Sequence, residues 1–226
     1  VAWGDWVVVK PGEPEAAPRP GVDEPWRTAS RDLKIPGVPI GGAYTIEFRQ
    51  GEEVETYKNI LVGEIWIIAG GTNALGARSG KRVDPIPWVR VFRNGRWDEG
   101  RDPVIAPPDG STRWITPWLR VAQNFYQLQG IPVGLIGYAR PDGAIEAFVD
   151  SGGRLASPLR THLEKYAKGA STLIWWQGEA DALAQQIDDY EKRLRALTPA
   201  VRKAIGREDT LAVMMQLGRN TAPRAP

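Results

Sequence analysis

The chain has 226 residues, and 42% of them are hydrophobic, which suffices for one substantial α/β core. Its 29 basic and 27 acidic residues give a formal net charge of +2, with no basic run dense enough to indicate a nucleic acid partner. Cysteine is absent, and no stretch reaches about 18 consecutive apolar residues, so neither disulfides nor a membrane span are expected.

The amino-terminal part is predicted to be β-rich. Residues 1–43 are rich in proline and glycine, and residues 44–58 alternate between apolar and polar side chains around the turn Gln50–Glu52. This alternation is typical of a hairpin. We therefore predict a β-rich segment over 1–58 and an α/β domain over 59–226.

The rest of the chain alternates between predicted strands and helices. Apolar runs predict strands near 61–69, 131–138, 171–176 and 210–217. Start and stop signals predict a helix from Thr116-Pro117 to Gly130, a helix from Ser157-Pro158 to Gly169, and a helical run with Leu183, Ile187, Tyr190, Leu194 and Leu197 on one face. Residues 81–115 are predicted as a long loop region. The alternation predicts an α/β protein with a parallel, doubly wound sheet.

Polar side chains follow the third predicted strand at once. Gln177, Glu179 and Asp181 come directly after the apolar run that ends at Trp175 and Trp176. Open α/β sheets hold their ligands at the carboxyl ends of their strands. The sequence therefore predicts a functional site at this junction.

A similar junction follows the first predicted strand. Gly70-Gly71-Thr72-Asn73 is typical of a tight exit turn, because glycine lets the backbone turn sharply. The Thr72 hydroxyl is a candidate nucleophile there, with nearby amide N–H groups as an oxyanion site. The same four residues are also ordinary turn chemistry, so a purely structural turn is the alternative.

Four blocks of the chain together resemble a known family. Asn59–Leu75 is similar to the nucleophile block of the SGNH-type carbohydrate esterases, which include the sialate O-acetylesterases and the acetylxylan esterases of carbohydrate esterase family six. Trp176–Asp181 is similar to their W-x-Q-G-E block, Ile131–Phe148 to their middle block, and Met215–Arg219 to a strand end. The resemblance covers residues 44–219 and implies a flavodoxin-like three-layer sandwich with a parallel sheet.

The resemblance implies a role for Thr72. The family's serine nucleophile corresponds to Thr72, whose extra methyl group restricts the side chain and crowds the attack path. Gly70 and Asn73 match the family's Gly and Asn, whereas Gly71 stands in place of Gln.

The resemblance also implies an oxyanion site. Gln177 matches a family glutamine whose side-chain amide is a plausible oxyanion donor. The middle block supplies a further backbone donor in the family, and it aligns here with Pro141-Asp142-Gly143. Proline has no N–H group, so this donor is either lost or moved to Asp142 or Gly143.

Substrate contacts are expected from Asn73, Trp176 and Glu179. Glu179 matches the family's glutamate, which either holds the loop or touches the substrate. A tryptophan at an open sheet edge often stacks on sugars, although most tryptophans pack in cores. The resemblance implies an acetylated glycan or another small ester as ligand, no cofactor or metal, and an extracellular or periplasmic location.

The general base is the largest departure from the family. The family carries it on a D-x-x-H block near the carboxyl end of the domain, and this chain has no such block. The single histidine, His162, lies in a predicted helix and has Leu159 rather than Asp three residues before it. We therefore expect His162 to lie far from Thr72 and to take no part in chemistry.

Three accounts of the function follow. In the first, the chain is the amino-terminal part of an active carbohydrate O-acetylesterase, which the intact Gln177-Gly178-Glu179 favours. In the second, it is a catalytically degenerate relative that binds acetylated glycans, and in the third a structural or assembly module. Because the chain begins at Val1 without a methionine or a signal-like stretch, we expect a processed mature form or an excised piece.

Overall fold

A computed structural model describes the chain over residues 6–11, 35, 37–50, 52–78, 80–107, 110, 113–141, 143–183 and 187–218. The chain divides into two compact units. The first unit comprises Val1–Glu64, Val83–Arg101 and Trp118–Gly134, and the second comprises Ile65–Arg82, Asp102–Pro117 and Leu135–Pro226. The boundary predicted near residue 58 stays a prediction.

The first unit contains an antiparallel three-stranded sheet. Its strands are β1 (Trp6–Pro11), β2 (Gly41–Gln50) and β3 (Glu53–Val62), in that order. The predicted hairpin is confirmed, since β2 and β3 pair on either side of residues 51 and 52. Phe48 and Tyr57 pack edge to face across this pair, with ring centroids 5.6 Å apart, which fits the preference of strands for cross-strand aromatic contacts.

The first unit also contains a hairpin where a loop was expected. Strands β5 (Val89–Arg93) and β6 (Arg96–Glu99) pair antiparallel, so the prediction of a loop throughout 81–115 is wrong over these residues. Asn94 and Gly95 adopt φ of 51° and 79°, the left-handed conformation of a tight two-residue hairpin turn. Helix α2 (Trp118–Gln129) contacts β5 and is followed by Gly130 with φ of 68°, as predicted.

The second unit contains alternating strands and helices. The elements are β4 (Glu64–Gly70), α1 (Thr72–Leu75), β7 (Val133–Ala139), a 3-10 helix (Ile145–Ala147), α3 (Ser157–Tyr166), β8 (Thr172–Trp176), α4 (Glu179–Leu183), α5 (Ile187–Ile205) and β9 (Leu211–Met214). The four predicted strands are thus present, and so are the second predicted helical region, as α3, and the third, as α4 and α5.

The predicted α/β class is confirmed, with one correction. The sheet of the second unit has the strand order β7-β4-β8-β9. The pairs β4–β8 and β8–β9 are parallel, whereas the β5–β6 pair of the first unit is antiparallel, so the strands do not all pair in parallel as predicted. Helices flank this sheet, as in a three-layer α/β fold.

The first predicted strand is interrupted at Gly63. Leu61 and Val62 end β3, and β4 begins at Glu64. A Cβ at Gly63 would lie 2.1 Å from the Pro132 carbonyl oxygen, and the Glu64 amide donates to that same oxygen at 2.9 Å. The close approach of this carbonyl therefore breaks an apolar run that sequence periodicity alone could not divide.

The strands of the second unit supply its core. Ile67, Ile68, Leu135, Ile136 and Leu173 are fully buried. Consecutive buried residues are expected for parallel strands that are covered on both faces. Within the described residues, no helix is long and apolar enough to cross a membrane.

Candidate active site

The exits of β4 and β8 meet at one edge of the sheet. Gly70 pairs with Trp176 in parallel register, and the Gly71 amide donates to the Trp176 carbonyl at 2.9 Å. A Cβ at Gly70 would lie 2.0 Å from this carbonyl oxygen, and Gly70 has φ of 147°. Only glycine therefore allows the two strand ends to approach so closely.

Thr72 is the first residue of α1, directly after this glycine pair. Its two sequence neighbours both contact the loop that follows β8. An ideal Cβ at Gly71 would lie 3.5 Å from Gln177 Cγ and 3.7 Å from Glu179 Oε2, and the Asn73 side-chain amide donates to Glu179 Oε1. Thr72 and Gln177 thus lie at the same sheet edge, as predicted.

Gln177 is held by its side-chain amide. The residue is 2% exposed, and its Nε2 donates to the Gly143 carbonyl at 2.9 Å and to Asp181 Oδ2 at 2.6 Å. Both amide hydrogens are therefore occupied. The oxyanion role of Gln177 stays a prediction, and it requires the amide to leave one of these two partners.

The middle-block residues are likewise engaged. The Gly143 amide donates to the Arg140 carbonyl at 3.2 Å, and the Arg140 amide donates to the Gly70 carbonyl at 3.0 Å. Asp142 lies outside the described residues. In this arrangement the Gly143 amide closes a turn, so its oxyanion role also stays a prediction.

Asp181, which the sequence placed in the predicted functional junction without a role of its own, and Tyr190, which the sequence indicated only as a helix-face residue, both belong to this site. Asp181 is 3% exposed, and its carboxylate accepts the Ile145 amide at 3.0 and 3.2 Å as well as the Gln177 amide. The Tyr190 hydroxyl donates to the Gln177 carbonyl at 2.9 Å. The available signals were the place of Asp181 in the block after β8 and the helical spacing of Tyr190, which is equally typical of a core residue.

Tyr190 is held in its protonated, hydrogen-donating form. Burial raises the pKa of Tyr190, and the negative charges of Asp181 and Glu179 act in the same direction. A raised tyrosine pKa keeps the hydroxyl proton in place at neutral pH. Tyr190 thus holds the main-chain carbonyl of Gln177, whereas Gly143 and Asp181 hold its side-chain amide.

Trp176 and a neighbouring cavity complete the surroundings of Gln177. Trp176 is half-buried. A cavity of about 370 Å³ lies between α5 and the end of β9, and Trp175, Gln177, Tyr190, Met214 and Leu217 are among its lining residues. Within the described ranges, no three or more histidine, aspartate or glutamate side chains group as a metal site would require.

His162 lies on α3, as predicted. Its ring packs against Tyr138 and Tyr166, with centroids 5.4 Å away in both cases. Burial lowers the pKa of His162, which favours the neutral imidazole. The His162 ring is therefore packed between two tyrosine rings.

Two solved structures share the fold of this chain. A carbohydrate acetylesterase from Xanthomonas citri superposes with a TM-score of 0.56 at 18% identity, covering 92% of this chain and 55% of that one. A protein from Arabidopsis thaliana superposes with a TM-score of 0.56 at 17% identity, covering 67% of this chain and 73% of that one. The chain thus spans about half the length of the Xanthomonas citri protein.

The sequence itself matches a family model over most of its length. No curated protein matches the chain. Residues 62–225, however, match the model of the carbohydrate esterases described as sialic acid-specific acetylesterases. The matched range contains both strand exits and the loop between Arg140 and Ile145. The chain therefore belongs to this family of carbohydrate esterases.

Proposed function

We propose that the chain carries the nucleophile site of a carbohydrate O-acetylesterase, which hydrolyses acetyl esters on glycans. The observation that carries this proposal is the convergence at one sheet edge of the glycine-flanked Thr72 turn with the Gln177–Glu179 loop. Membership of the carbohydrate esterase family supports the same substrate class.

The proposed chemistry is acyl transfer in two steps. The Thr72 hydroxyl oxygen attacks the acetyl carbonyl, the sugar hydroxyl leaves with a proton, and an acetyl-threonine ester remains on the protein. Water then hydrolyses this ester, which releases acetate and restores the hydroxyl. Donors near Thr72 would stabilise the negative charge that develops on the carbonyl oxygen.

The attack needs a base that accepts the Thr72 proton. A hydroxyl is a weak nucleophile at its ordinary pKa, so an adjacent base normally activates it. His162 is the single histidine of the chain, and it packs against Tyr138 and Tyr166 on α3. The proposal therefore assigns the base to a group other than His162.

One observation favours a second candidate function. The Gln177 amide and the Gly143 amide both have protein partners, and Pro141 lacks an N–H group. A site whose expected oxyanion donors are engaged or missing is suited to holding an acetylated glycan without turning it over. A glycan-binding module, descended from an esterase, is the second candidate.

Hydrolysis assays on Thr72 variants separate the two candidates. We expect the wild type to release acetate from p-nitrophenyl acetate, acetylated xylan or acetylated sialic acid, and Thr72→Ala to lose about 100-fold or more of kcat. Thr72→Ser should raise kcat, because the hydroxyl stays and the crowding methyl group is removed.

A matched variant controls for general effects of the change. Thr161 is exposed on α3, so Thr161→Ala should retain wild-type hydrolysis. Saturable binding of acetylated glycans without acetate release would favour the second candidate. Turnover that Thr72→Ala leaves unchanged would contradict the nucleophile assignment.

A further inference from the structure

Asp181 is a buried carboxylate at the centre of the candidate site. It lies on α4 and is 3% exposed. Among the ion pairs of the described residues, none involves Asp181. A buried carboxylate is costly unless hydrogen-bond donors surround it, so the donors that face Asp181 are expected to be held firmly.

The partners of Asp181 come from two different strand exits. The Ile145 amide, in the 3-10 helix after β7, donates to both carboxylate oxygens at 3.2 and 3.0 Å. The Gln177 amide, after β8, donates to Oδ2 at 2.6 Å and also to the Gly143 carbonyl. Asp181 therefore joins the loop after β7 to the loop after β8.

Asp181 and the Gly143 carbonyl together determine which way the Gln177 amide faces. An ionised carboxylate can only accept hydrogen bonds, so it must face Nε2 rather than Oε1. Gln177 Oε1 is buried and has no hydrogen-bond partner among the described residues. Because an unsatisfied buried acceptor is unfavourable, the orientation must be stabilised by the bonds of Nε2.

We propose that Asp181 is a positioning residue of this site. Its carboxylate holds the Gln177 amide with Nε2 toward Gly143, and it fixes residues 143–145 against the loop after β8. Removing the carboxylate charge removes one of the two acceptors that hold this orientation, so the amide rotates more readily. The consequence for turnover rests on the proposed esterase function, whereas the positioning itself does not.

The positioning is tested without any enzymatic assay. In wild-type protein, NMR should show the Gln177 side-chain amide protons and the Ile145 backbone amide exchanging slowly with solvent. The exposed Gln129 side chain provides the fast-exchanging reference. Exchange of the Gln177 amide as fast as that of Gln129 would overturn the proposal, whether or not any variant folds.

The variant Asp181→Asn removes the charge at nearly constant shape. Its Nδ2 donates, so either the Ile145 amide loses one of its two acceptor oxygens or the Gln177 amide rotates to present Oε1. Exchange at Ile145 or at the Gln177 amide should therefore rise about tenfold or more. Asp188→Asn is the matched control, because Asp188 is exposed on α5. Unchanged exchange at both Ile145 and Gln177 in Asp181→Asn would overturn the proposal.

The kinetic arm distinguishes positioning from general stability. With an acetyl ester as substrate, Asp181→Asn should lower kcat about tenfold to 100-fold while KM stays within about threefold, and Asp188→Asn should change neither. Faster exchange at Ile145 with an unchanged kcat would overturn the positioning role in catalysis. A wild type that releases no acetate would refute the esterase function, and the exchange measurement would still decide whether Asp181 holds Gln177.

Discussion

The close approach of β4 to β8 depends on Gly70, which has no side chain. A Cβ on Gly70 would lie 2.0 Å from the carbonyl oxygen of Trp176, which is far inside contact distance. The φ of 147° at Gly70 also disfavours any L side chain. Two separate penalties, contact and backbone strain, therefore oppose substitution at this position. The turn that presents Thr72 exists because Gly70 avoids both.

Gly70→Ala should destabilise the protein strongly. We expect a loss of at least about 2 kcal/mol in the free energy of unfolding, because the clash forces the strand ends apart. Gly169→Ala is the control, since Gly169 has φ of 72° but no atom within 4 Å of its Cβ position. It should lose only about 1 kcal/mol from strain. Equal losses in urea unfolding would show that the contact at Gly70 is unimportant.

At the residue level, the sequence predicted that the polar groups of two strand exits lie close together, and their roles stay predictions. Thr72, Asn73 and Glu179 were expected together, and the structure brings the Asn73 amide onto Glu179. The partners of Gln177 could not be predicted, because hydrogen bonds between separate loops leave no periodic signal. Asp181 was visible only as one more polar residue in its block, and its burial follows from the tertiary fold.

At the scale of elements, the sequence carries a hairpin signal inside the predicted loop region 81–115. Asn94-Gly95 separates two short runs with β-favouring residues, and this dipeptide is a strong signal for a two-residue hairpin. The surrounding proline and glycine content instead favoured a loop. The structure shows β5 and β6 on either side of this turn. The break at Gly63 differs, because the Pro132 carbonyl that causes it is distant in sequence.

The packing of α3 makes stability depend on pH. Burial lowers the pKa of His162, so the folded state binds its proton less tightly than the unfolded chain. Below the ordinary histidine pKa of about 6.5, the unfolded state gains a proton that the folded state resists, and the free energy of unfolding falls. Above this pH both states are neutral at His162 and its contribution is constant.

His162→Gln should remove this part of the pH dependence. Between pH 7.5 and 5.5, the Tm of the wild type should fall more steeply than that of the variant, as measured by thermal scans at both pH values. Ester hydrolysis at neutral pH should be the same in both proteins. A wild-type Tm that falls less steeply than the variant's would contradict the assigned burial of a neutral imidazole.

At the scale of the whole molecule, the fold could be predicted further than the function. Four apolar runs and the helices between them predicted the strands of the second unit, because burial on both faces leaves long hydrophobic runs in the sequence. Family membership is shown, and a carbohydrate ester as substrate is a proposal that it supports. Catalysis, however, depends on which donors and bases are free to act, and the contacts of Gln177 and Gly143 arise only in the folded chain.

The central claim is that Thr72 is the acyl-accepting residue of a carbohydrate esterase site. Mass spectrometry tests it most directly, after the protein is treated with an organophosphonate that mimics the tetrahedral intermediate of ester hydrolysis. We predict one added group per chain, located on the peptide that contains Thr72, and no addition to Thr72→Ala. Turnover of acetyl esters by a protein whose label lies on another residue would contradict the account.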